Sequence, residues 1–139
     1  MDDKDLYGDF SKDEMDAYAE EAKQRWGHTE AWRQSQERYK KMTKDDLANI
    51  KRGADLWMKK AALLVGRPVT DTEVQTMIAE HYNALRTWYE PNLVMYRGLA
   101  DMYVNDPRFA AYYEKYAKGL AQFMRDAMHV YCDIQEKKA

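Results

Sequence analysis

Residues 70–88 read Thr-Asp-Thr-Glu-Val-Gln-Thr-Met-Ile-Ala-Glu-His-Tyr-Asn-Ala-Leu-Arg-Thr-Trp, and their spacing decides the class of fold. Val74, Met77, Ile78, His81, Leu85 and Trp88 recur three and four residues apart, the period of one face of an α-helix. Ahead of them, Thr70 and Glu73 have the spacing of a capping box, in which each side chain satisfies a free backbone N–H of the first turn. Behind them, Tyr89, Glu90 and Pro91 interrupt the pattern, because proline has no N–H to continue a helix. A half-buried strand would instead alternate at period two, and no stretch of the chain sustains that alternation.

The same signals repeat on both sides. Upstream, Thr43 with Asp46 opens a helix carrying Leu47, Ile50, Ala54, Trp57, Ala61 and Leu64, which stops at Gly66 and Pro68. Before it, Thr29 caps a helix with a thin apolar stripe of Trp32, Tyr39 and Met42. The first helix starts at the capping box Ser11–Glu14, carries Met15, Tyr18, Ala19, Ala22 and Trp26, and has Gly27 for a left-handed stop. Downstream of Pro91 come Met95, Tyr96, Leu99, Met102 and Tyr103, and then Asp106-Pro107 as N-cap and first-turn proline. Phe109, Tyr112, Tyr113 and Tyr116 lead on through Gly119 into Leu120, Phe123, Met124, Ala127 and Tyr131, and Gln135 to Ala139 reads as a frayed charged end. The expected fold is all-α: a compact array of about six to seven short helices joined by short connections.

At 139 residues the chain has the size of one domain. Residues 1–21 hold nine acids against Lys4 and Lys12, whereas the remainder holds 15 acids and 20 bases. Residues 1–9 accordingly read as a disordered acidic tail, 10–135 as the domain and 136–139 as its frayed end. Neither part is basic enough for a nucleic-acid footprint. The apolar runs are too short to span a membrane, no signal-peptide pattern opens the chain, and the lone Cys132 forms no internal disulfide. A monomeric cytoplasmic protein is expected.

Searching for reactive constellations leads to no chemistry. Asp126 and His129 are a carboxylate–histidine pair at helical spacing, short of what a bundle metal site needs. Cys132 has no histidine four residues away on either side, although His129 stands three residues back on a neighbouring face, and no glycine pair has the spacing of a phosphate cradle. His81, alone on the apolar stripe of its helix, is read as a core residue or a hydrogen-bond partner for a ligand; a haem or tetrapyrrole on this histidine is the lesser alternative. No catalytic residue, metal or cofactor is expected.

What stands out is 11 Tyr, 4 Trp and 3 Phe beside 9 Met. Tyrosine and tryptophan carry polar tips that need partners once buried, which makes them an inefficient filling for a core and an effective lining for a pocket. The helix after Thr29 has two large rings and almost no aliphatic surface, so packing holds it weakly, and a ligand covering Trp32 and Tyr39 would supply burial it lacks. Residues 10–42 therefore read as a mobile lid. The candidate ligand-binding residues are Trp32 and Tyr39 as lid contacts, with His81, Leu85, Trp88, Tyr89, Met95, Tyr96 and Tyr103 lining a central tunnel or cleft.

Two stretches carry a family resemblance. Gln24-Arg25-Trp26-Gly27-His28-Thr29-Glu30-Ala31-Trp32-Arg33-Gln34-Ser35, and Gly98-Leu99-Ala100-Asp101-Met102-Tyr103-Val104-Asn105-Asp106-Pro107-Arg108-Phe109 with Gly119-Leu120-Ala121 and Met124-Arg125-Asp126-Ala127, resemble the TipAS antibiotic-recognition domain family. Order and spacing agree from about Phe10 to Tyr131. The resemblance implies a globin-like helical fold that engulfs thiopeptides or other large, planar, heterocycle-rich antibiotics. It implies a role as effector half of a MerR-type transcriptional activator or as a stand-alone drug-sequestering form. It also implies a mobile N-terminal part and a cysteine between the central helices that attacks the drug. Here Tyr89-Glu90-Pro91-Asn92-Leu93 contains no cysteine, and position 98 is glycine. Capture is therefore expected to be non-covalent. The alternative is a helical protein-interaction or dimerisation module without a ligand pocket.

Overall fold

The computed structural model describes residues 12–138. The acidic tail 1–9, Phe10, the Ser11–Glu14 capping box, the Met15 and Tyr18 side chains and Ala139 lie outside the described residues. Seven α-helices make up the described chain: α1 Lys12–Trp26, α2 Glu30–Lys41, α3 Lys44–Ala62, α4 Thr72–Ala84, α5 Leu93–Asn105, α6 Pro107–Glu114 and α7 Leu120–Lys138. A 3₁₀ turn, Leu85–Thr87, follows α4, and no strand occurs among the described residues. The all-α expectation holds.

Local chemistry accounts for most helix ends. Thr29 caps α2, its hydroxyl accepting from the Trp32 N–H at 3.2 Å. At α3 the capping box is complete: Thr43 N donates to Asp46 Oδ2 at 2.9 Å and Asp46 N to Thr43 Oγ1 at 3.0 Å. Asn92 caps α5 and Asp106 caps α6, with Pro107 in the first turn.

Five local expectations are corrected. The cap of α4 is Asp71 rather than Thr70, since the Asp71 carboxylate accepts from Glu73 N at 2.8 Å while the Glu73 side chain is drawn to Arg67. Helix α4 tightens into the 3₁₀ turn at Leu85, which takes Trp88 off its stripe. Gly27 is not left-handed; a Cβ there would collide with the Lys23 carbonyl, so glycine serves close approach instead. Gly119 is left-handed, at φ +86°, and divides the expected continuous helix into α6 and α7. Glu114 then caps α7 from outside, accepting from Gly119 N at 2.9 Å and Ala121 N at 3.2 Å. The charged end stays helical to Lys138, with Arg97 of α5 ion-paired to Asp133 and Glu136 of α7.

By their contacts the residues form two compact units. One runs to Asp55 and includes Thr87–Glu90; the other comprises Leu56–Arg86 and Pro91–Ala139. The second unit contains the hydrophobic core, in which α5 packs chiefly on α7, with α4 and α6 also against α7. Met77, Ile78, Tyr96, Leu120, Met124 and Met128 are its largest wholly enclosed side chains. Gln75 ties α4 to α7 by donating to the carbonyls of Val69 at 2.7 Å and Ala127 at 3.1 Å. In the first unit Leu47 is buried, but α2 buries none of its side chains. What organises α2 is polar: its cap, an exposed ladder Glu30–Arg33–Glu37, and Gln34 Oε1 accepting from Glu90 N at 2.8 Å.

Candidate functional site

In the second unit the rings converge on His81. Helix α4 directs this histidine, three residues before its end, toward the face of α5 on which Tyr96 and Tyr103 stand seven residues apart. His81 Nδ1 lies 2.7 Å from the Tyr96 hydroxyl, and Nε2 lies 3.3 Å from that of Tyr103. The Tyr96 hydroxyl donates in turn to the Ile78 carbonyl at 3.5 Å. In the neutral imidazole one of these two nitrogens donates to its tyrosine hydroxyl and the other accepts. Burial holds the imidazole far below its usual value, at about pKa 4, because the charged form would lose hydration that no carboxylate replaces. His81 is therefore neutral at physiological pH.

Around this histidine the aromatic contacts are continuous. Trp57 lies 5.0 Å from the His81 ring at 32°. Tyr82 meets Tyr96 edge-on at 5.0 Å and Tyr131 at 5.3 Å. On the other side Tyr103 contacts Tyr113 at 4.5 Å and Phe109 at 5.9 Å. Tyr113 is enclosed, and burial pushes its phenol well above the ordinary range, with Tyr103 as a hydrogen-bond partner. The polar tips of this core thus serve one another, which is how so many tyrosines fit where aliphatic side chains usually pack.

The expected ligand residues fall in both units. His81, Tyr96 and Tyr103 come together, with Tyr96 and Tyr103 only 1% and 5% exposed. Leu85 is partly buried against the core, and Met95 is partly buried on α5. In the first unit Tyr39 of α2 stacks on Trp88 at 6.4 Å and 27°. Trp32 and Tyr89 are partly buried. Sequence reasoning placed Trp57 in the core stripe of its helix and missed it as the neighbour of His81, 24 residues away in the chain. It also missed Tyr82, because periodicity assigns the residue after His81 to a different face, although its ring reaches Tyr96 from there.

Other reactive groups are engaged as well. Both His81 nitrogens face tyrosine hydroxyls, so neither is free for an axial bond to haem iron. His129 pairs with Asp101 (Nε2 to Oδ1, 2.7 Å) instead of with Asp126, and its Nδ1 accepts from Arg97 at 3.0 Å. The His129 bond in turn lowers the Asp101 carboxyl. Cys132 is buried with its sulfur 3.6 Å from the Leu93 carbonyl, and burial pushes the thiol up to about 11. A thiol held that far from ionisation is a poor nucleophile. Among the described residues no helix is long and apolar enough to cross a membrane.

Comparison with known proteins locates this arrangement. The model of the TipAS antibiotic-recognition domain matches residues 18–131. The chain is 34% identical over 127 residues to the HTH-type transcriptional activator TipA of Streptomyces coelicolor, covering 89% of the chain and 49% of TipA. It is 28% identical over 141 residues to the HTH-type transcriptional activator mta of Bacillus subtilis, covering 98% of the chain and 54% of mta. The chain thus spans about half the length of the curated relatives it matches. Among solved structures, TipAS of Streptomyces lividans in complex with the thiopeptide antibiotic nosiheptide superposes with a TM-score of 0.83 at 32% identity, covering 95% of this chain and 92% of that one.

Proposed function

The chain belongs to the TipAS antibiotic-recognition domain family, and on that premise we propose that it binds a large, heterocycle-rich antibiotic of the thiopeptide kind, reversibly and without a covalent bond. In a regulator of the relatives' length it supplies the effector-binding half; on its own it sequesters the drug. Reversibility follows from the thiol chemistry: no cysteine lies between α4 and α5, and Cys132 is enclosed and protonated.

The observation that carries the reading is helix α2. Its twelve residues bury no side chain, yet they include Trp32 and Tyr39, and Tyr39 is stacked on Trp88. Fully burying one such ring is worth roughly 1.5–3 kcal/mol, so helix and ligand each gain from covering the other. Trp32, Tyr39, Trp88 and Tyr89 are partly buried in the first unit. In the second, His81, Tyr96 and Tyr103 bond one another, and Leu85 and Met95 are partly buried.

Titration with nosiheptide, followed by tryptophan fluorescence and thermal unfolding, tests the proposal. The expected result is a saturable fluorescence change with a rise in melting temperature, reversed by dialysis, at micromolar affinity or better; that affinity needs about 8 kcal/mol. A folded protein that answers neither to nosiheptide nor to a panel of other thiopeptides and polycyclic drugs would sink the idea.

A further inference from the structure

Among the described residues one buried side-chain donor has no hydrogen-bond partner, the indole N–H of Trp57. Native proteins leave few such groups, because a buried donor without an acceptor forfeits the bond it made to water. Nothing beside it takes the proton. The His81 ring 5.0 Å away has Nδ1 and Nε2 turned to the hydroxyls of Tyr96 and Tyr103. The other unpartnered buried polar atom is Gln75 Oε1, whose amide nitrogen joins α4 to α7; that residue has a structural task already. Trp57 has none of this kind. Its side chain is only partly buried, at the margin of the core, with the N–H shielded from solvent and the ring tilted against His81.

We propose that Trp57 is the directional hydrogen-bond donor of the ligand site, taking an acceptor on a heteroaromatic or peptide ligand: an azole or pyridine nitrogen, or an amide carbonyl. The inference rests on the binding function above and makes it more specific. Ring stacking alone does not discriminate among flat apolar molecules, whereas a desolvated N–H rejects any ligand that presents no acceptor to it. The aromatic cluster, its own polar tips mutually occupied, would leave Trp57 to read ligand chemistry.

The test replaces the N–H without changing the ring. Incorporating 3-benzothienylalanine at position 57 keeps the shape of the indole and substitutes sulfur for the N–H; Trp57→Phe serves as a second variant. With nosiheptide as the probe, the isostere should bind about tenfold more weakly than the natural protein. Its ligand-free melting temperature should be equal or higher, since it no longer buries an unpaired donor. In the natural protein the Trp57 indole proton should move downfield and exchange more slowly when nosiheptide is added. Undiminished affinity in the isostere, while the natural protein binds, overturns the role of Trp57 and leaves the binding function standing. Absence of binding by the natural protein overturns both.

Discussion

Acid should destabilise this fold through His81 in a measurable, separable way. Burial holds the folded-state pKa at about 4, against an ordinary value near 6.5 in the unfolded chain. Because the folded value is the lower one, the unfolded state binds more protons between these limits, and stability falls as pH falls. The full effect of that difference is about 3 kcal/mol, present above about pH 6.5 and lost by about pH 4. Between about pH 7 and about pH 4.5 the loss from this group is roughly 2.5 kcal/mol, or around 1 M in the urea midpoint for ordinary denaturant slopes. Carboxylates such as Asp101 and Asp133, both lowered by their partners, also lose stability in acid. They are retained in His81→Gln, which removes the imidazole and keeps two polar atoms for Tyr96 and Tyr103. Urea unfolding of both proteins at the two pH values, followed by far-UV circular dichroism, isolates the His81 contribution as a double difference. If the natural protein and His81→Gln lose the same stability on acidification, the neutral buried histidine is wrong.

Two further expectations concern the core. Gly119→Ala should lower stability by about 1 kcal/mol in thermal or chemical unfolding. The nearest atom to an added Cβ is Val65 Cγ1 at 3.9 Å, so only the left-handed backbone at φ +86° resists the change; an unchanged midpoint contradicts this account of the α6–α7 break. Cys132 should react with a thiol reagent such as DTNB at about pH 8 far more slowly in the folded protein than in urea, as its burial and its value of about 11 require; equal rates would count against the enclosed thiol.

Helix identity was legible in the sequence because it depends on spacing. The stripe Val74, Met77 and Ile78 is buried as its period predicts, and Thr29, Thr43–Asp46 and Asp106-Pro107 start their helices by local bonds a few residues long. Where the reading failed, two local signals competed. Thr70 and Asp71 each suit an N-cap, and Arg67 decides between them by drawing Glu73 away from the capping box. Tyr112, Tyr113 and Tyr116 carry the helical period toward Gly119, and only the chain's turn back onto α7 shows that α6 ends at Glu114. The site was legible by residue type more than by grouping. Tyr96 and Tyr103 could be placed on one face because they share a helix, and His81 meets both. Its other neighbour, Trp57, belongs to a different helix, and spacing within a helix says nothing about what lies opposite it.

The distribution of burial bears on how such a protein recognises a large ligand. The entire hydrophobic core cluster lies in the unit formed by Leu56–Arg86 and Pro91–Ala139, where the polar tips of His81, Tyr96 and Tyr103 bond one another. The other unit spends large rings on a helix with no buried side chain. A stable core gains little by closing further on a ligand, because its contacts are already made. A weakly packed aromatic helix gains most from each added contact, and it opens at little cost. Affinity in the proposed function would therefore grow chiefly from surface that α2 and its partner Trp88 have yet to cover, because each ring face brought into contact there adds burial the helix lacks without the ligand.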